Sequence, residues 1–341
     1  MKIKDIKNTE IINNLEINSK FISSTNNDLN LSCNILTDNF YLDSHNYFPL
    51  TDDFLTFSEA YIWGDLEKYK NFYSKKFIEN FSKEFKKFKE LNNIYLLGTS
   101  SVNNYYRNII TFLPRLFFIN EKKIKLGIHR NTSNKIRIFI EKICNKFGVE
   151  IKFVFLDDNF FKFTESKIPQ FLNKSSSIKI LNSLKKNNNQ TKEKIYISRQ
   201  NCNFRNLLNE RDVIIKLKKL DYKIVDLNNF EVEEQIKLFS SASVVVSPTG
   251  SGLTNLVFCN PGTKVFEITP KYNFEYEAHF KNRYSSICKF LDLNYTSIDA
   301  DSVKIENQRI KTHNKINSKI ITESNYYKDL ILKMEKINKV L

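Results

Sequence analysis

Between Lys194 and Leu291 the chain alternates short apolar runs with amphipathic stretches, and this spacing leaves few folds open. Lys194–Ser198, Tyr222–Leu227, Val244–Ser247 and Lys264–Ile268 read as strands. Glu210–Leu220, Glu233–Ala242, Leu253–Cys259 and Glu275–Leu291 read as helices. Strands separated by helices of roughly 10–15 residues run parallel, because a crossover helix carries the chain back to the starting edge. An earlier series has the same form. It comprises Ile94–Leu97 ending in Gly98, a helix from Ser100 or Ser101 to about Phe118 around Pro114, Lys125–His129, Lys135–Phe147 closed by Gly148, and Ile151–Leu156. The expected fold class is α/β with two Rossmann-like, doubly wound domains.

The boundaries follow from composition. Asp157–Thr191 is less regular, and KKNNNQTKEK within and just after it is the best linker, being polar and aperiodic. The expected domains are 1–190 and 191–320, followed by a C-terminal helix in 321–341 that packs back across them. Residues 1–60 read as short strands and loops. Asp65–Leu91 reads as a helix whose aromatic stripe packs on a sheet. Residues 302–320 form a polar excursion, and Glu323–Val340 a final amphipathic helix.

With 341 residues and 41 % hydrophobic composition, the chain has enough apolar volume for two ordinary cores. The net charge is +15 and the pI about 9.3, carried mostly by Lys. Lys, Asn and Ile are abundant throughout, so the charge is as readily a compositional background as a binding device. If functional, it suits an anionic sugar nucleotide, an anionic membrane surface or nucleic acid. The Lys are spread over helices rather than gathered in one arm, which argues against nucleic acid. Cysteines stand at 33, 144, 202, 259 and 288, an odd number with no CxxC pair, as expected of reduced thiols. The four His, at 45, 129, 279 and 313, show no metal-ligand spacing. The opening MKIKDIKNTEIINN is too polar for a signal peptide, and no apolar run approaches the ~18 residues of a membrane span. The expectation is a soluble protein in a cytosolic setting that can still sit on a membrane surface through its basic faces.

Only 7 Gly are present, and Gly250, Gly252 and Gly262 cluster. Val244–Gly252 reads as a buried strand leaving the sheet at its carboxyl end, with a short helix starting at once. In open α/β sheets ligands bind beyond the carboxyl ends of strands. Gly250 and Gly252 would let a phosphate approach the backbone, and the first N–H groups of the helix would face it. Thr249, Ser251 and Thr254 add hydroxyls, and Leu253 and Asn255 complete the segment. A plain tight turn is the alternative on local pattern alone. One βα unit earlier, Arg199 ends a strand and points to the same crevice, where its guanidinium can grip a diphosphate. Arg205 is a second cation for this task. Asn209 and Glu210 start the next helix, as donor contacts or as simple caps. Glu267 could accept hydrogen bonds from ribose hydroxyls, or pair with a nearby Lys.

ISR followed by RNLLNE, then EEQIKLFSSASVVVSPTGSGLTNLVFCNPGTKVFEI, resembles glycosyltransferase family 61, also called the DUF563 group. The strong match covers about Ile195–Pro270 and a weaker one Asn103–Leu116, NNYYRNIITFLPRL. The resemblance implies a GT-B architecture, two Rossmann-like domains facing a cleft, with the donor nucleotide held mainly by the C-terminal one. It implies an inverting, metal-independent transferase that moves a sugar from a nucleotide-sugar, most commonly UDP-linked, to a surface-polysaccharide, glycan or lipid-linked acceptor, with no cofactor beyond that co-substrate.

Two departures stand out. Thr249 replaces the His of the family's HGAG. Arg107 replaces a His in the NYYHW-like segment, with Thr111 where an acidic residue is frequent. Thr249 cannot serve as a base near neutral pH, whereas Arg107 could meet a phosphate or an anionic acceptor. Inverting transfer needs a proton acceptor, stabilisation of the leaving diphosphate and alignment of the sugars. For catalysis the sequence offers only Arg107 and Asp65, with Asp52, Asp53 and Glu59 as further carboxylates, and for each of these four carboxylates a solvated surface group is the favoured reading. Asp299-Ala300-Asp301 spells DxD, a metal–diphosphate motif of another glycosyltransferase fold, but a lone DxD is common by chance. Three readings stand: an active transferase, a catalytically degenerate nucleotide-sugar-binding or scaffold subunit, and a basic nucleic-acid-binding module that rests on charge alone.

Overall fold

The computed structural model describes residues 11–12, 21–44, 48–51, 56–57, 88–98, 104–157, 159–185, 192–202, 205–272, 278–303 and 328–340. The chain forms two compact units, residues 1–180 and 181–341.

Unit 1 contains β1 (Ile11–Ile12), β2 (Phe21–Asn26), β3 (Leu31–Asp43), β4 (Phe48–Thr51), β5 (Thr56–Phe57), β6 (Lys89–Asn92), β7 (Ile94–Gly98), β8 (Lys123–His129), β9 (Glu150–Leu156) and β10 (Phe160–Pro169). Its main sheet runs β2-β3-β10-β7-β8-β9, with β4 on β3 and β6 on β10. β7, β8 and β9 are parallel neighbours, and β10 returns to the other side of β7, so the strand order reverses there. Between β7 and β8 the chain passes through α1 (Tyr105–Arg107), a π-helical Asn108–Phe112 and a 3-10 turn Leu113–Phe118. α2 (Asn134–Lys146) follows β8. It starts where the Ser133 hydroxyl accepts from Ile136 N at 3.4 Å and stops before Gly148, whose φ of +69° suits glycine. α3 (Lys174–Asn182) follows β10.

The core of unit 1 is built on the long antiparallel pairing of β3 with β10. Phe40 and Phe163 face each other in register, their rings stacked 4.7 Å apart, among Leu36, Leu42, Leu96 and Ile168. Two expectations need correction. Residues 157–191, read as irregular, hold β10 and α3. The alternation in β10 is broken by a bulge between Phe163 and Ser166, with Glu165 at a left-handed φ of +47°, which hides the strand from a period-two pattern. The end of the expected 65–91 helix is the strand β6; residues 65–87 lie outside the described residues.

Unit 2 contains β11 (Glu193–Ile197), α4 (Glu210–Lys218), β12 (Lys223–Val225), α5 (Val232–Ser241), β13 (Ala242–Pro248), a 3-10 helix (Ser251–Phe258), β14 (Lys264–Pro270), α6 (Ala278–Lys281), α7 (Ser285–Phe290), β15 (Asn294–Val303), β16 (Asp329–Ile331) and α8 (Met334–Val340). The sheet order is β12-β11-β13-β14-β15-β16, parallel except for β16. β13 lies between β11 and β14, which accounts for its apolar VVV run. Strand order reverses between β11 and β13, the place where doubly wound sheets open a crevice at their carboxyl ends.

The helix expected over Glu323–Val340 is not continuous. Among its described residues, Asp329–Ile331 pairs antiparallel with β15, and only Met334–Val340 is helical. Leu330, Leu332 and Ile337 join Tyr196, Leu217, Val246 and Ile298 in the core of unit 2. The described residues of the expected 275–291 helix, 278–291, likewise hold two short helices, α6 and α7. All five cysteines are free, and burial pushes the Cys33 thiol up to about 11 and Cys144 up to about 12. No helix among the described residues is long and apolar enough to cross a membrane.

Candidate functional site

The carboxyl ends of β11 and β13 bring Arg199 and the Thr249–Gly250 turn together. Arg199 is only 8 % exposed. Its backbone N–H donates to Glu210 Oε1 at 2.9 Å, and its Nε donates to the Arg205 carbonyl at 3.3 Å. The guanidinium lies against the Cα of Gly250, so closely that a β-carbon there would collide with it. Gly250 therefore makes room first for Arg199, not for a ligand alone as the glycine pattern suggested. Gly252 differs too: a β-carbon would stand 2.8 Å from Leu227 Cδ1 and 3.5 Å from Ile197 Cγ2, so this glycine lets the 3-10 helix pack onto β11.

Glu210 opens α4, where the helix dipole favours a carboxylate. Besides Arg199 N, its Oε1 accepts from Tyr196 Oη at 2.9 Å. Burial, then the Glu210 charge, pushes the Tyr196 phenol well above its usual range, so it remains a donor. Glu210 thus holds the backbone on which Arg199 stands. Asn209 caps nothing in α4. Its amide clamps the C-terminal segment, donating to the Leu332 carbonyl at 2.7 Å and accepting from Leu332 N at 3.1 Å. The neighbouring Asn206 N donates to Asp329 Oδ1 at 2.9 Å. The RNLLNE run accordingly serves as a dock for β16 as well as a support for Arg199.

Glu267 is 1 % exposed and accepts from Tyr295 Oη at 2.8 Å. Burial raises its pKa to about 7, opposed by Thr249, Tyr295 and the charges of Arg205 and Arg283. Thr249 is fully buried. Its N–H donates to the Ile268 carbonyl at 2.8 Å, and its hydroxyl lies beside Glu267 without completing a hydrogen bond of ordinary geometry. Arg205 holds a left-handed φ of +56°, a conformation that costs a non-glycine residue about 1–3 kcal/mol and turns its carbonyl to Arg199. Arg199, Arg205, Glu210, Thr249, Gly250 and Glu267 therefore form one cluster.

Other expected contacts fall elsewhere. Leu253, Thr254 and Asn255 are fully buried inside the 3-10 helix, and the Asn255 amide donates to Gln235 Oε1 at 2.7 Å and to the Gly252 carbonyl at 3.1 Å. They shape the helix rather than line an opening. Ser251 is half-buried at the helix start, where no side chain caps the first turn. Arg107 ends α1 in unit 1, and Thr111 sits four residues on, within the π-helical turn, a geometry frequent at functional sites. Asp52, Asp53, Glu59 and Asp65 lie outside the described residues. Asp299 and Asp301 lie within β15, and Asp301 pairs with Lys333 at 3.8 Å. Among the described residues no three His, Cys, Asp or Glu gather as a metal-binding group.

Tyr295 and Arg283 were not foreseen. The alternation of NYTSIDADSV marks β15 as a strand with one polar face, but nothing local ties Tyr295 to Glu267, which lies 28 residues earlier. Arg115 of unit 1 was also missed as a structural group. It is wholly buried and donates to the carbonyls of Leu97 and Pro169 at the ends of β7 and β10, its guanidinium 4.1 Å from the Phe171 ring.

The family model described as Glycosyltransferase 61 matches residues 57–266, most of the chain. This chain belongs to glycosyltransferase family 61. No curated protein matches it in sequence. Membership implies glycosyltransferase activity in general, and the mixed α/β architecture with two parallel-rich sheets is compatible with a GT-B-like member of family 61.

Proposed function

We propose that this family 61 member binds a nucleoside-diphosphate sugar on unit 2 and transfers the glycosyl group, with inversion, to a hydroxyl of a glycan or lipid-linked acceptor. The observation that carries the reading is the Arg199 guanidinium, nearly buried at the switch between β11 and β13 and seated on a glycine. Two further features support it. The 3-10 helix starts beside Arg199 without a side-chain cap, so its first N–H groups are available to an anion. Arg205, held in a strained conformation, adds a second positive charge. Fixed cations in a poorly hydrated site stabilise the charge that develops on a departing diphosphate, the task a divalent ion performs elsewhere. The net charge of +15 also favours anionic partners, including a membrane surface that presents a lipid-linked acceptor.

Glu267 has a proton affinity near neutrality, as a general base needs, but its burial behind Thr249 and Tyr295 keeps it from an acceptor hydroxyl. Its role in this scheme is to position Thr249 and Arg205. A second reading, nucleotide binding without transfer, is favoured by Thr249 itself, a buried hydroxyl that cannot accept a proton where the family commonly has His. Calorimetry with UDP and UDP-sugars tests the binding step. Saturable binding that weakens roughly 10- to 100-fold in Arg199→Ala, and also weakens in Gly250→Ala, which displaces the guanidinium, is the expected result; equal binding in both variants overturns it. Sugar transfer or donor hydrolysis by the native chain then decides between the two readings.

A further inference from the structure

Unit 2 carries a polar face of which the diphosphate reading uses only Glu267. In the register of β14 and β15, Glu267 stands opposite Ser297 and Thr269 opposite Asp299, with Tyr295 two residues before Ser297. The alternate positions Ile298 and Ala300 are buried in the core. Parallel strands inside a doubly wound sheet normally run apolar on both faces. On this face Glu267 and Thr269 are buried, where polar groups need partners, whereas Ser297 and Asp299 are exposed. Here the face borders a cleft of about 280 Å³, into which Tyr272, Lys281 and Asn282 also open. That volume lies just below the range of about 300–1,000 Å³ for small-molecule sites, so it suits one ring with its substituents.

We propose that this cleft is a subsite for a polyhydroxylated ring with an adjacent anionic group. Asp299 supplies the carboxylate that accepts from vicinal hydroxyls, and it is separated from Asp301, which is held by Lys333. Ser297 and Asn282 add neutral donors and acceptors. The Lys281 ammonium meets the anion, and Tyr272 and Tyr295 offer aromatic surface to the ring. The 2.8 Å bond from Tyr295 to Glu267 fixes one wall of the cleft and connects it to the group beside Thr249. Two sources present this chemistry: the ribose 5′-phosphate of the donor nucleotide and a separate acidic sugar unit. Only the first rests on the donor-binding reading above.

The test is calorimetry on the full chain with uridine 5′-monophosphate and, separately, glucuronate, comparing the native protein with Asp299→Asn, Lys281→Ala and Arg199→Ala. Asp299 and Lys281 are exposed, so both substitutions leave the core intact, and near-ultraviolet circular dichroism checks this. The expected result is saturable binding of one probe, weakened tenfold or more by Asp299→Asn and by Lys281→Ala. A response to the nucleotide identifies the donor ribose, and a response to glucuronate identifies a separate sugar unit. If nucleotide binding is lost in Arg199→Ala but unchanged in the two cleft variants, and glucuronate does not bind, the cleft proposal is overturned while the donor reading stands. If glucuronate binding depends on Asp299 and neither uridine 5′-monophosphate nor the UDP and UDP-sugars of the preceding test bind, the donor reading falls and the cleft proposal stands.

Discussion

Each unit places an arginine where its strand order reverses, and the two arginines are held in opposite ways. In unit 1 the Arg115 guanidinium is wholly buried between the ends of β7 and β10, donating to Leu97 and Pro169 carbonyls and lying on the Phe171 ring. In unit 2 the Arg199 guanidinium lies against a bare glycine, while its backbone is held by Glu210. The same residue type at the same topological place is thus set in two different surroundings. Carbonyls at the strand ends turn Arg115 into a fastener. Arg199 also donates to a carbonyl, that of Arg205, but its guanidinium is seated on Gly250 at the start of the 3-10 helix, the position proposed above to meet a diphosphate.

The largest expected effect tests the fastener. Arg115→Ala strips two buried carbonyls of their donor and leaves a void, and should cost roughly 3–5 kcal/mol. Arg115→Lys should recover little, because an ammonium cannot span both carbonyls as the planar fork does. Chemical denaturation measures this, and a loss below about 1 kcal/mol would break the comparison.

Next comes Glu267. Its folded pKa, about 7, lies above the ordinary 4.5, so the folded state holds the proton more tightly. The resulting stability is fully present below about pH 4.5 and is lost as pH rises through 7, a span worth about 3 kcal/mol at most. Glu267→Gln should flatten that part of the pH dependence of the melting temperature. An unchanged slope between pH 5 and 7 would show that the carboxyl titrates normally.

Arg199→Ala should leave stability closer to native than Arg115→Ala does, yet weaken UDP binding roughly 10- to 100-fold, the value of a charge-assisted contact of about 1.5–3 kcal/mol. If the two variants lose stability and affinity in the same proportion, the distinction between the arginines fails. The smallest effect belongs to Asn209→Ala, which removes both hydrogen bonds to Leu332 and should cost about 1–2 kcal/mol without a direct effect on nucleotide affinity. Hydrogen exchange at Leu330 and Leu332 reads this loosening, and unaltered protection there would argue against the clamp.

Much of the architecture was legible because it is local. Apolar runs of strand length separated by amphipathic helices force parallel pairing, and VVVSPTGSGLTNL marks a central strand that ends in a turn at the ligand-binding edge. The resemblance to family 61 was read mainly from Ile195–Pro270, and the family match extends over residues 57–266. β10 escaped because a bulge at Phe163–Ser166 shifts its period, and β16 because three residues give too short a signal against the helical pattern around them. The site was legible as a set of residue types, not as a set of partners.

From the chain alone came the α/β alternation, the position of the glycine turn and the presence of Arg199, Arg205 and Glu267 near it. All are set by neighbours within a few residues. Only the tertiary structure decided that Gly250 accommodates a guanidinium and Gly252 a leucine, that Asn209 holds a segment 123 residues away, and that Glu267 is sealed behind Thr249 and Tyr295. Those outcomes depend on which strands become neighbours. Burial and hydrogen-bond partners arise from long-range packing, and a sequence pattern records the period of a segment without the identity of what lies across from it.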